Sequence, residues 1–402
     1  MLWHVIHIID ILLWLFLAAS TLYILFFALV STLWKKHINE FTSFLTDQKL
    51  AMREKEFFTY LVLYPAYNED RVIVPSVRTF LGQYYPYNAF HVAVISDHMQ
   101  PETNKALSEL PITLLQPVFE KSSKAKAMQY AMDQIKEDYD YIIIMDADNV
   151  VNSDFLQKLN DSCAHGYRAI QCHRCAKNKD NDIAVLDGVS EEINNTIFRK
   201  AHNRIGLSSA LIGSGMCFDF KLFKENVYKL TTAGEDREME ALLLKQKVYI
   251  HYEPDIHVFD EKVSNKDNFQ KQRLRWMTAQ IQSLLSLLPY IPTAIKTMNI
   301  DFIDKTIQQA LIPRSMLVVA AFGMSFVMTA FSLLFSNYWY IKWWCLFLTI
   351  CISLYIATPK QLRSHSVFGK LLSLPKLVWK MVMNILKIDH KNTDFIHTSH
   401  GK

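Results

Sequence analysis

Residues 11–34 form an unbroken run without a single charged side chain. A helix needs roughly 20 apolar residues to cross the hydrocarbon core of a membrane, and this run is long enough. A signal peptide is the alternative, but no basic segment precedes the run and no small-residue cleavage site follows it. Lys35, Lys36 and His37 follow at once, and by the positive-inside rule they place this end of the predicted span in the cytoplasm.

Two further apolar runs lie nearer the C-terminal end, at residues 315–335 and 338–357. The second contains Lys342 among tyrosine and tryptophan side chains, which is typical of a lysine that snorkels to the membrane surface within an aromatic belt. Basic residues flank the pair of runs at Arg314, Lys360 and Arg363. The sequence therefore predicts a hairpin of two spans that turns on the outer side, with the whole middle of the chain in the cytoplasm.

Residues 367–388 have the pattern of an amphipathic helix. Large apolar side chains fill one helical face, and the opposite face carries Ser373, Lys376, Lys380, Asn384 and Lys387. A basic amphipathic helix of this kind is expected to lie in the membrane interface. The alternative is a helix that packs on the domain with its polar face in solvent.

The middle of the chain alternates short apolar runs with segments of helical length. The runs are residues 60–64, 91–96 and 141–145, and helices are predicted between them at residues 72–83 and 124–136. Strands that alternate with helices form a mostly parallel sheet. The sequence therefore predicts an α/β domain, and a hydrophobic content of 50% argues against a disordered chain.

Polar side chains follow each of the three predicted strands, and they are Tyr67 and Glu69, then Asp97, then Asp146 and Asp148. Ligands of open α/β sheets bind beyond the carboxyl ends of the strands, so these side chains are candidates for one binding site. Lysine and arginine total 43 against 39 acidic residues, an excess too small to indicate nucleic-acid binding.

Two aspartates separated by one residue can share a divalent cation with a bound diphosphate. The spacing occurs three times, at Asp138/Asp140, Asp146/Asp148 and Asp180/Asp182. Only the second pair follows a buried-strand pattern, whereas the other two lie in polar surroundings typical of solvated loops. Carboxylate oxygens suit Mg²⁺ or Mn²⁺, and we therefore expect Asp146 and Asp148 to hold one of these ions.

Other charged residues have both a structural and a functional interpretation. Asp97 either caps the following helix or binds a nucleotide base. Lys124 begins a predicted helix, where its ammonium and the free backbone N–H groups would attract phosphate, but Lys121 and Lys126 are equally good candidates.

Two motifs further along the chain are equally ambiguous on their own. Glu235 and Asp236 open a helical pattern, where acidic residues are common because they interact favourably with the helix dipole. Arg275 and Trp276 lead into an apolar helix, where such residues often serve as an interfacial membrane anchor.

The six cysteines do not form the framework of a secreted disulfide protein. Cys345 and Cys351 fall in apolar runs, and reduced thiols in a cytosolic domain fit the other four better. Cys172 and Cys175 resemble half of a zinc site, but no matching second pair follows, so a strand is the favoured interpretation.

Taken together and in this order, these pieces resemble the membrane-bound family 2 glycosyltransferases, which include cellulose, chitin, hyaluronan and poly-N-acetylglucosamine synthases. The resemblance covers residues 60–276. The segments that carry it are Pro65-Ala66-Tyr67-Asn68-Glu69, Asp97, Lys124, Asp146-Ala147-Asp148, Gly213-Ser214-Gly215, Gly234-Glu235-Asp236 and Gln272-Arg273-Leu274-Arg275-Trp276. It implies a GT-A fold, which is a Rossmann-like α/β fold, and inversion at the anomeric carbon.

The resemblance also implies a role for each residue of these segments. The residues expected to bind the donor nucleotide are Tyr67, Glu69, Asp97, Lys124 and Asp146. Asp146 and Asp148 would bind the metal, Asp236 would take the proton from the acceptor hydroxyl, and Arg275 would stabilise the leaving diphosphate. The residues expected to contact the acceptor are Gly213, Ser214, Gly215, Gln272 and Trp276.

The expected enzyme is an inverting, metal-dependent glycosyltransferase that moves GlcNAc or glucose from a UDP-sugar to a glycan acceptor with β linkage, in cell-surface polysaccharide synthesis. Its expected partners are the donor, a glycan or lipid-linked acceptor, membrane lipids and export proteins. Two alternatives stay open: transfer of a single sugar to a membrane lipid, and a catalytically silent scaffold that keeps the fold for binding. The intact acidic set argues against the scaffold.

The expected organisation has five parts. They are an N-terminal transmembrane helix at residues 1–34, a cytoplasmic GT-A domain at 35–275, interfacial helices at 276–312, a transmembrane hairpin at 313–358, and the amphipathic helix with a tail at 359–402. The expected location is the plasma or inner membrane, with the catalytic domain in the cytoplasm.

Overall fold

The computed structural model describes residues 2–34, 55–178, 182–232, 234–262, 266–335 and 337–363. Side chains are described throughout these ranges except at residues 2, 3, 266–271, 273 and 274. The amphipathic helix predicted at residues 367–388 lies outside the described residues, as do the tail beyond it, the basic cluster at residues 35–37 and Asp180.

The centre of the fold is a mixed sheet of eight strands in the order β3-β2-β1-β4-β7-β6-β8-β5. The strands are β1 (Tyr60–Tyr67), β2 (Phe90–Asp97), β3 (Thr113–Leu115), β4 (Tyr141–Ile144), β5 (Val150–Val151), β6 (Ala169–Ala176), β7 (Met216–Asp219) and β8 (Ile250–Asp260). Strand β1 pairs in parallel with β2 and β4, and β2 pairs in parallel with β3. Strand β7 is antiparallel to both of its neighbours, β4 and β6.

The central strands are buried on both faces, which explains why their sequences are continuous apolar runs. Alternate residues of β1 enter different cores: Tyr60 and Val62 pack on one side of the sheet, and Leu61 and Leu63 pack on the other. The sequence prediction of these strands is confirmed, and β1 continues past the predicted end to Tyr67.

Helices cover both faces of this sheet. They are α2 (Ile73–Leu81), α3 (Pro101–Ser108), α4 (Lys124–Gln134), α5 (Phe155–Ala164), α6 (Asp182–Asn194), α7 (Phe220–Val227) and α8 (Glu235–Lys245). A further helix, α1 (Leu2–Leu33), precedes the sheet in the chain. Helix α6 continues through a π-helical segment, Asn195–Ala201, and a final turn, His202–Arg204.

Five helices follow the sheet: α9 (Lys266–Leu287), α10 (Ile291–Lys296), α11 (Ile300–Ala310), α12 (Arg314–Phe335) and α13 (Tyr340–Ala357). Within the described part of the chain, α1, α12 and α13 are the three helices long and apolar enough to cross a membrane. They share one core with α6, to which α6 and its π-helical extension contribute Val189, Ile193 and Ile197.

Lys342 does not snorkel as the sequence predicts. It forms an ion pair with Asp10 of α1, a residue that is only 5% exposed. Trp343 Nε1 donates to the same carboxylate at 2.8 Å. The uncharged run begins after Asp10, but helix α1 starts at Leu2 and so includes this carboxylate. A carboxylate among apolar helices requires a cationic partner. The ion pair therefore joins the first span to the third.

Helices α9 to α11 cover the region predicted to be interfacial. Phe302 of α11 is buried in the core of the catalytic domain. The outward side of the three helices and the turns between them exposes large apolar side chains at Leu285, Leu288, Tyr290, Ile295 and Met298. An interfacial position for these helices stays a prediction.

Candidate active site

A cavity of about 900 Å³ opens beyond the carboxyl ends of β1, β2 and β4. The polar residues that follow these strands line it, and they are Tyr67, Glu69, Asp97, Asp146 and Asp148. The sheet edge predicted from the sequence therefore forms one wall of this cavity. Helices α4, α8 and α9 supply further walls with Lys124, Asp236 and Arg275.

Asp97 ends β2 with its side chain turned into the protein, and the residue is only 3% exposed. Its Oδ1 lies 2.5 Å from His98 Nδ1, and the His98 ring lies 5.4 Å from the ring of Tyr67. Helix α3 begins at Pro101 with Gln100 as its cap residue, so Asp97 does not cap that helix. The cap interpretation is therefore wrong, and binding of a nucleotide base by Asp97 stays a prediction.

Lys124 opens α4 directly after Ser123, whose side chain accepts the N–H of Lys126 and caps the helix. The ammonium of Lys124 lies 2.5 Å from Asp146 Oδ1 and 2.6 Å from the carbonyl oxygen of Gly213. Burial alone would lower the pKa of this lysine, but Asp146 and Glu235 outweigh burial and raise it. Of the three candidate lysines, Lys124 lines the cavity, and Lys126 instead donates to the carbonyl oxygen of Lys121.

The turn after β4 holds the second aspartate. Asp148 Oδ2 accepts the N–H of Glu261 at 2.7 Å, and Asn149 Nδ2 donates to Oδ1 at 3.2 Å. Asn149 Oδ1 also accepts the N–H of Asp146 at 2.9 Å, so one side chain fixes both ends of the Asp146–Asp148 turn. Asp140, from another of the three pairs, instead accepts from Thr59 outside the cavity.

Gly213 lies at the point where these charged groups meet. Its φ is +79°, and a Cβ placed there would face Asp236 Oδ2 at 3.7 Å, with Glu235 Oε1 and Lys124 Nζ both at 3.9 Å. A side chain at this position would therefore occupy the space between Lys124 and the acidic residues Glu235 and Asp236. Glycine keeps the space open for a ligand.

Ser214 and Gly215, predicted to contact the acceptor, lie away from the cavity lining. Ser214 is fully buried. Gly215 donates its N–H to Ile144 at 2.9 Å, and a Cβ there would lie 2.8 Å from Val258. The loop lines the cavity through Gly213, and the next two residues join the loop to the sheet, so contact of Ser214 and Gly215 with the acceptor stays a prediction.

Glu235 and Asp236 form the first turn of α8 and both line the cavity. Burial raises the pKa of Glu235 to about 7, Lys124 at 3.8 Å opposes this, and the charges of Asp236 and Asp146 add to it. The cavity therefore has more carboxylates than cations to balance them.

This excess of negative charge is the property that a divalent cation would correct, so the residues present fit Mg²⁺ or Mn²⁺. Among the described residues, no group of three or more histidine, cysteine, aspartate or glutamate side chains is arranged to hold a metal alone. Two carboxylates with phosphate oxygens and waters are the usual ligands of such ions at a bound diphosphate.

Helix α9 brings Gln272, Arg275 and Trp276 to the cavity wall. Within the described part of the chain, Gln272 Oε1 is buried and has no hydrogen-bond partner. A buried polar atom of this kind is costly unless a ligand or water satisfies it. Gln272 is therefore well placed to bind a polar group of a substrate.

The region from β4 to the end of the third apolar helix matches a known family. Residues 141–358, more than half of the chain, match the family described as glycosyl transferase family group 2. The chain belongs to this family. A comparison with curated protein sequences finds no match.

A solved structure with a TM-score of 0.50 supports the GT-A fold of this glycosyltransferase. The mannosyltransferase PcManGT from Pyrobaculum calidifontis, in complex with GDP-Man and Mn²⁺, is similar at a TM-score of 0.50 and 15% identity, over 84% of this chain and 95% of that one. TarS 1-349 from S. aureus is similar at a TM-score of 0.42 and 13% identity, over 81% of this chain and 88% of that one.

Sequence reasoning missed a buried charge cluster at the cavity of the glycosyltransferase. Glu191 accepts from Arg199 at 3.0 Å and from Arg174 at 3.4 Å, and Asp260 lies 2.9 Å from Lys262. Burial disfavours the Glu191 carboxylate, but the two arginines hold its pKa well below the usual range. Arg174 lies in the segment that resembles half of a zinc site. A charged residue inside a strand is the sequence signal that could have revealed the cluster.

The cavity continues from the charged residues of the glycosyltransferase towards the three apolar helices. Its lining there is apolar and consists of Ile24, Val318, Phe322, Phe347 and Leu354. One continuous cavity therefore has a charged end at the sheet and an apolar end between α1, α12 and α13.

Proposed function

We propose that this glycosyltransferase transfers a sugar with inversion from a UDP-sugar to a glycan acceptor, forming a β linkage in cell-surface polysaccharide synthesis. The observation that carries the proposal is the convergence of Asp97, Lys124, Asp146, Asp148 and Asp236 on one cavity. A catalytically silent scaffold would have no need of this set. GlcNAc and glucose are the donor sugars we propose.

In the proposed reaction, the acceptor hydroxyl oxygen attacks the anomeric carbon from the side opposite the diphosphate. The new C–O bond forms as the bond between the anomeric carbon and the diphosphate oxygen breaks, and UDP leaves with the electron pair. The Asp236 carboxylate takes the hydroxyl proton, and one displacement of this kind inverts the anomeric centre.

The departing diphosphate carries negative charge that the site must stabilise. Lys124 and Arg275 line the cavity and would supply fixed positive charge. Asp146 and Asp148 would hold Mg²⁺ or Mn²⁺, which when bound supplies Lewis-acid stabilisation of the leaving group. Tyr67, Glu69 and Asp97 would bind the base and ribose, and Gln272, Trp276 and Gly213 would contact the acceptor.

We further propose that α1, α12 and α13 span the plasma or inner membrane and that the catalytic domain lies in the cytoplasm. The boundaries of the five parts are those predicted from the sequence. Three observations support this: the length and apolar character of the helices, the apolar surface of α9 to α11, and the core that α6 shares with the spans. UDP-sugars are cytoplasmic donors, which agrees with this orientation.

The apolar end of the cavity favours a second candidate acceptor, a sugar or phosphate carried on a membrane lipid. Phe322 and Phe347 line a space that would accept a hydrocarbon chain while its polar head reached Asp236. Transfer of a single sugar to such a lipid would use the same donor site and the same base.

Purified protein in detergent, incubated with a panel of UDP-sugars and Mn²⁺, tests the proposal. UDP release measures turnover, and the size and lipid content of the product separate the two acceptors. UDP release with one donor and a growing polar product is the expected result. The absence of turnover with every donor, both with and without added membrane lipid, would refute the proposed function.

A further inference from the structure

Helix α11 turns three polar residues towards the catalytic domain, Asp301, Lys305 and Gln309, spaced four residues apart on one helical face. The Asp301 carboxylate accepts the N–H and the hydroxyl of Ser208, both at 2.7 Å. Lys305 forms an ion pair with Glu240, and Gln309 accepts from Arg237. These contacts reach the helix that carries Asp236 and the chain that leads to Gly213.

Glu240 is the link between these two elements. It lies in α8, one turn after Asp236, and its Oε2 accepts the N–H of Leu211 at 3.2 Å. The other carboxylate oxygen pairs with the ammonium of Lys305. The Glu240 carboxylate therefore joins three elements: helix α8, which carries Asp236, the loop at residues 210–215, and α11.

The Lys305–Glu240 pair is removed from solvent, since the two residues are 5% and 2% exposed. A buried pair of this kind holds its geometry firmly, because separating the charges leaves each without compensation. Lys305 also lines the cavity. Burial lowers the pKa of the Lys305 ammonium, and the charges of Glu240 and Asp236 oppose this shift. Lys305 therefore lies within electrostatic range of Asp236, the proposed base.

We propose that Lys305 is a positioning residue for sugar transfer: through Glu240 it fixes the loop at residues 210–215 against α8 and thereby sets the acceptor hydroxyl relative to Asp236. The inference rests on the proposed function and adds to it a residue outside the segments that resemble the family. Lys305 does not contact the reacting atoms in this account.

This role affects one substrate more than the other. The residues proposed to bind the donor are held mainly by other elements. Asp97 ends β2, and Lys124 opens α4, where Asp146 holds its ammonium at 2.5 Å in addition to the carbonyl oxygen of Gly213. The acceptor is proposed to bind on the side of the cavity that Gly213 and α9 line. Loss of Lys305 should therefore impair transfer to a sugar hydroxyl and spare hydrolysis of the donor, because water is small enough to react without the positioned loop.

The test compares both reactions in the full-length protein with Mn²⁺, using UDP-GlcNAc with chitotetraose or UDP-glucose with cellotetraose, whichever pair the wild-type protein turns over. In Lys305→Met we expect transfer to fall about 10- to 100-fold with a higher KM for the oligosaccharide. Hydrolysis of the donor should stay within about twofold, because the donor site is intact. Lys305→Arg should restore most of the transfer, since the charge returns.

Lys296→Met is the matched control, because Lys296 is an exposed lysine on the neighbouring α10 and does not line the cavity. It should leave both reactions unchanged. If Lys305→Met does not fold, the double variant Lys305→Met/Glu240→Gln removes both buried charges and should fold with the same reduced ratio of transfer to hydrolysis.

The outcomes separate this inference from the proposed function. A wild-type protein that turns over no donor overturns the proposed function, and the inference falls with it. An active wild-type protein whose Lys305→Met or double variant keeps the wild-type ratio of transfer to hydrolysis overturns the inference alone. A proportional loss of both reactions in the Lys305 variants also overturns it, because that is the result of a purely structural role.

Discussion

The ammonium of Lys124 lies 2.5 Å from Asp146 Oδ1, so a residue proposed to bind phosphate is paired with a residue proposed to bind metal. The pair brings the first turn of α4 to the end of β4 and leaves Asp148 to the turn that follows. The charges of the two proposed ligands are therefore interdependent. A change at either residue should alter both donor affinity and metal affinity.

We expect turnover to depend strictly on Mg²⁺ or Mn²⁺, and Asp148→Ala should abolish it because Asp148 is a proposed ligand of the ion. Asp138→Ala is the matched control, since that exposed aspartate does not line the cavity. UDP release with titrated Mn²⁺ measures both variants, and circular dichroism verifies the fold. Full activity of the wild-type protein in excess chelator would disprove the metal role.

Asp236→Asn should bind the UDP-sugar with near-normal affinity and lose about 10²–10⁴-fold in transfer, because the amide cannot take the acceptor proton. Glu235→Gln should be the milder change. The raised pKa of Glu235 makes it the competing candidate, since a pKa near 7 suits a general base. Calorimetry for binding and UDP release for turnover decide between them. A nearly active Asp236→Asn beside a dead Glu235→Gln would assign the base to Glu235.

Without metal, we expect stability to fall as pH rises from 4.5 to 7. The pKa of Glu235 is raised by burial from 4.5 to about 7, so in this range the unfolded chain has released a proton that the folded protein still holds. Glu235→Gln removes this loss and should be more stable than the wild-type protein at pH 8 by about 1–3 kcal/mol. Thermal unfolding of both proteins at pH 4.5 and pH 8 measures the effect. Parallel pH profiles would contradict the raised pKa.

The two glycines of the 213–215 segment should respond differently to alanine. Gly213→Ala places a methyl group in ordinary contact with Asp236, Glu235 and Lys124 at a φ of +79°. It should reduce turnover by occupying the site and should destabilise the fold only through the strain of the positive φ. Gly215→Ala brings Cβ to 2.8 Å from Val258 and should mainly destabilise the fold. Melting temperature and turnover, measured on both, test the contrast. Equal ratios of activity loss to stability loss would argue against it.

Lys342→Met should lower thermal stability in detergent, because it leaves the Asp10 carboxylate buried without its cation. The double variant Lys342→Met/Asp10→Leu should recover part of that loss, since no charge then remains between α1 and α13. Melting temperatures of the two variants test this pair. A double variant less stable than Lys342→Met would show that Asp10 stabilises the helices without Lys342.

The strands and the position of Asp146 and Asp148 at the sheet edge could be predicted from the sequence because local patterns encode them. A strand buried on both faces must be apolar throughout, and Ile142 to Ile144 satisfy this directly before Asp146. The position of Asp146 and Asp148 at the sheet edge follows from the topology alone.

Long-range polar pairs could not be predicted in this way. Lys305 and Glu240 each look like an ordinary charged residue of an amphipathic helix, and only the tertiary packing of α11 on α8 buries them. Asp10 likewise gives no local signal of its partner, because Lys342 lies at the other end of the chain. The 213–215 segment shows a related limit: a motif specifies a loop, but not which of its residues lines the cavity.

Helix α6 has one further consequence. Val189 and Ile193 belong to the core of the three apolar helices, while Asp187 and Glu191 of the same helix line the cavity. In the proposed orientation, α6 thus holds the catalytic centre at a constant depth relative to the bilayer. Substrates must come to that depth, and any product that grows there must slide past a stationary centre.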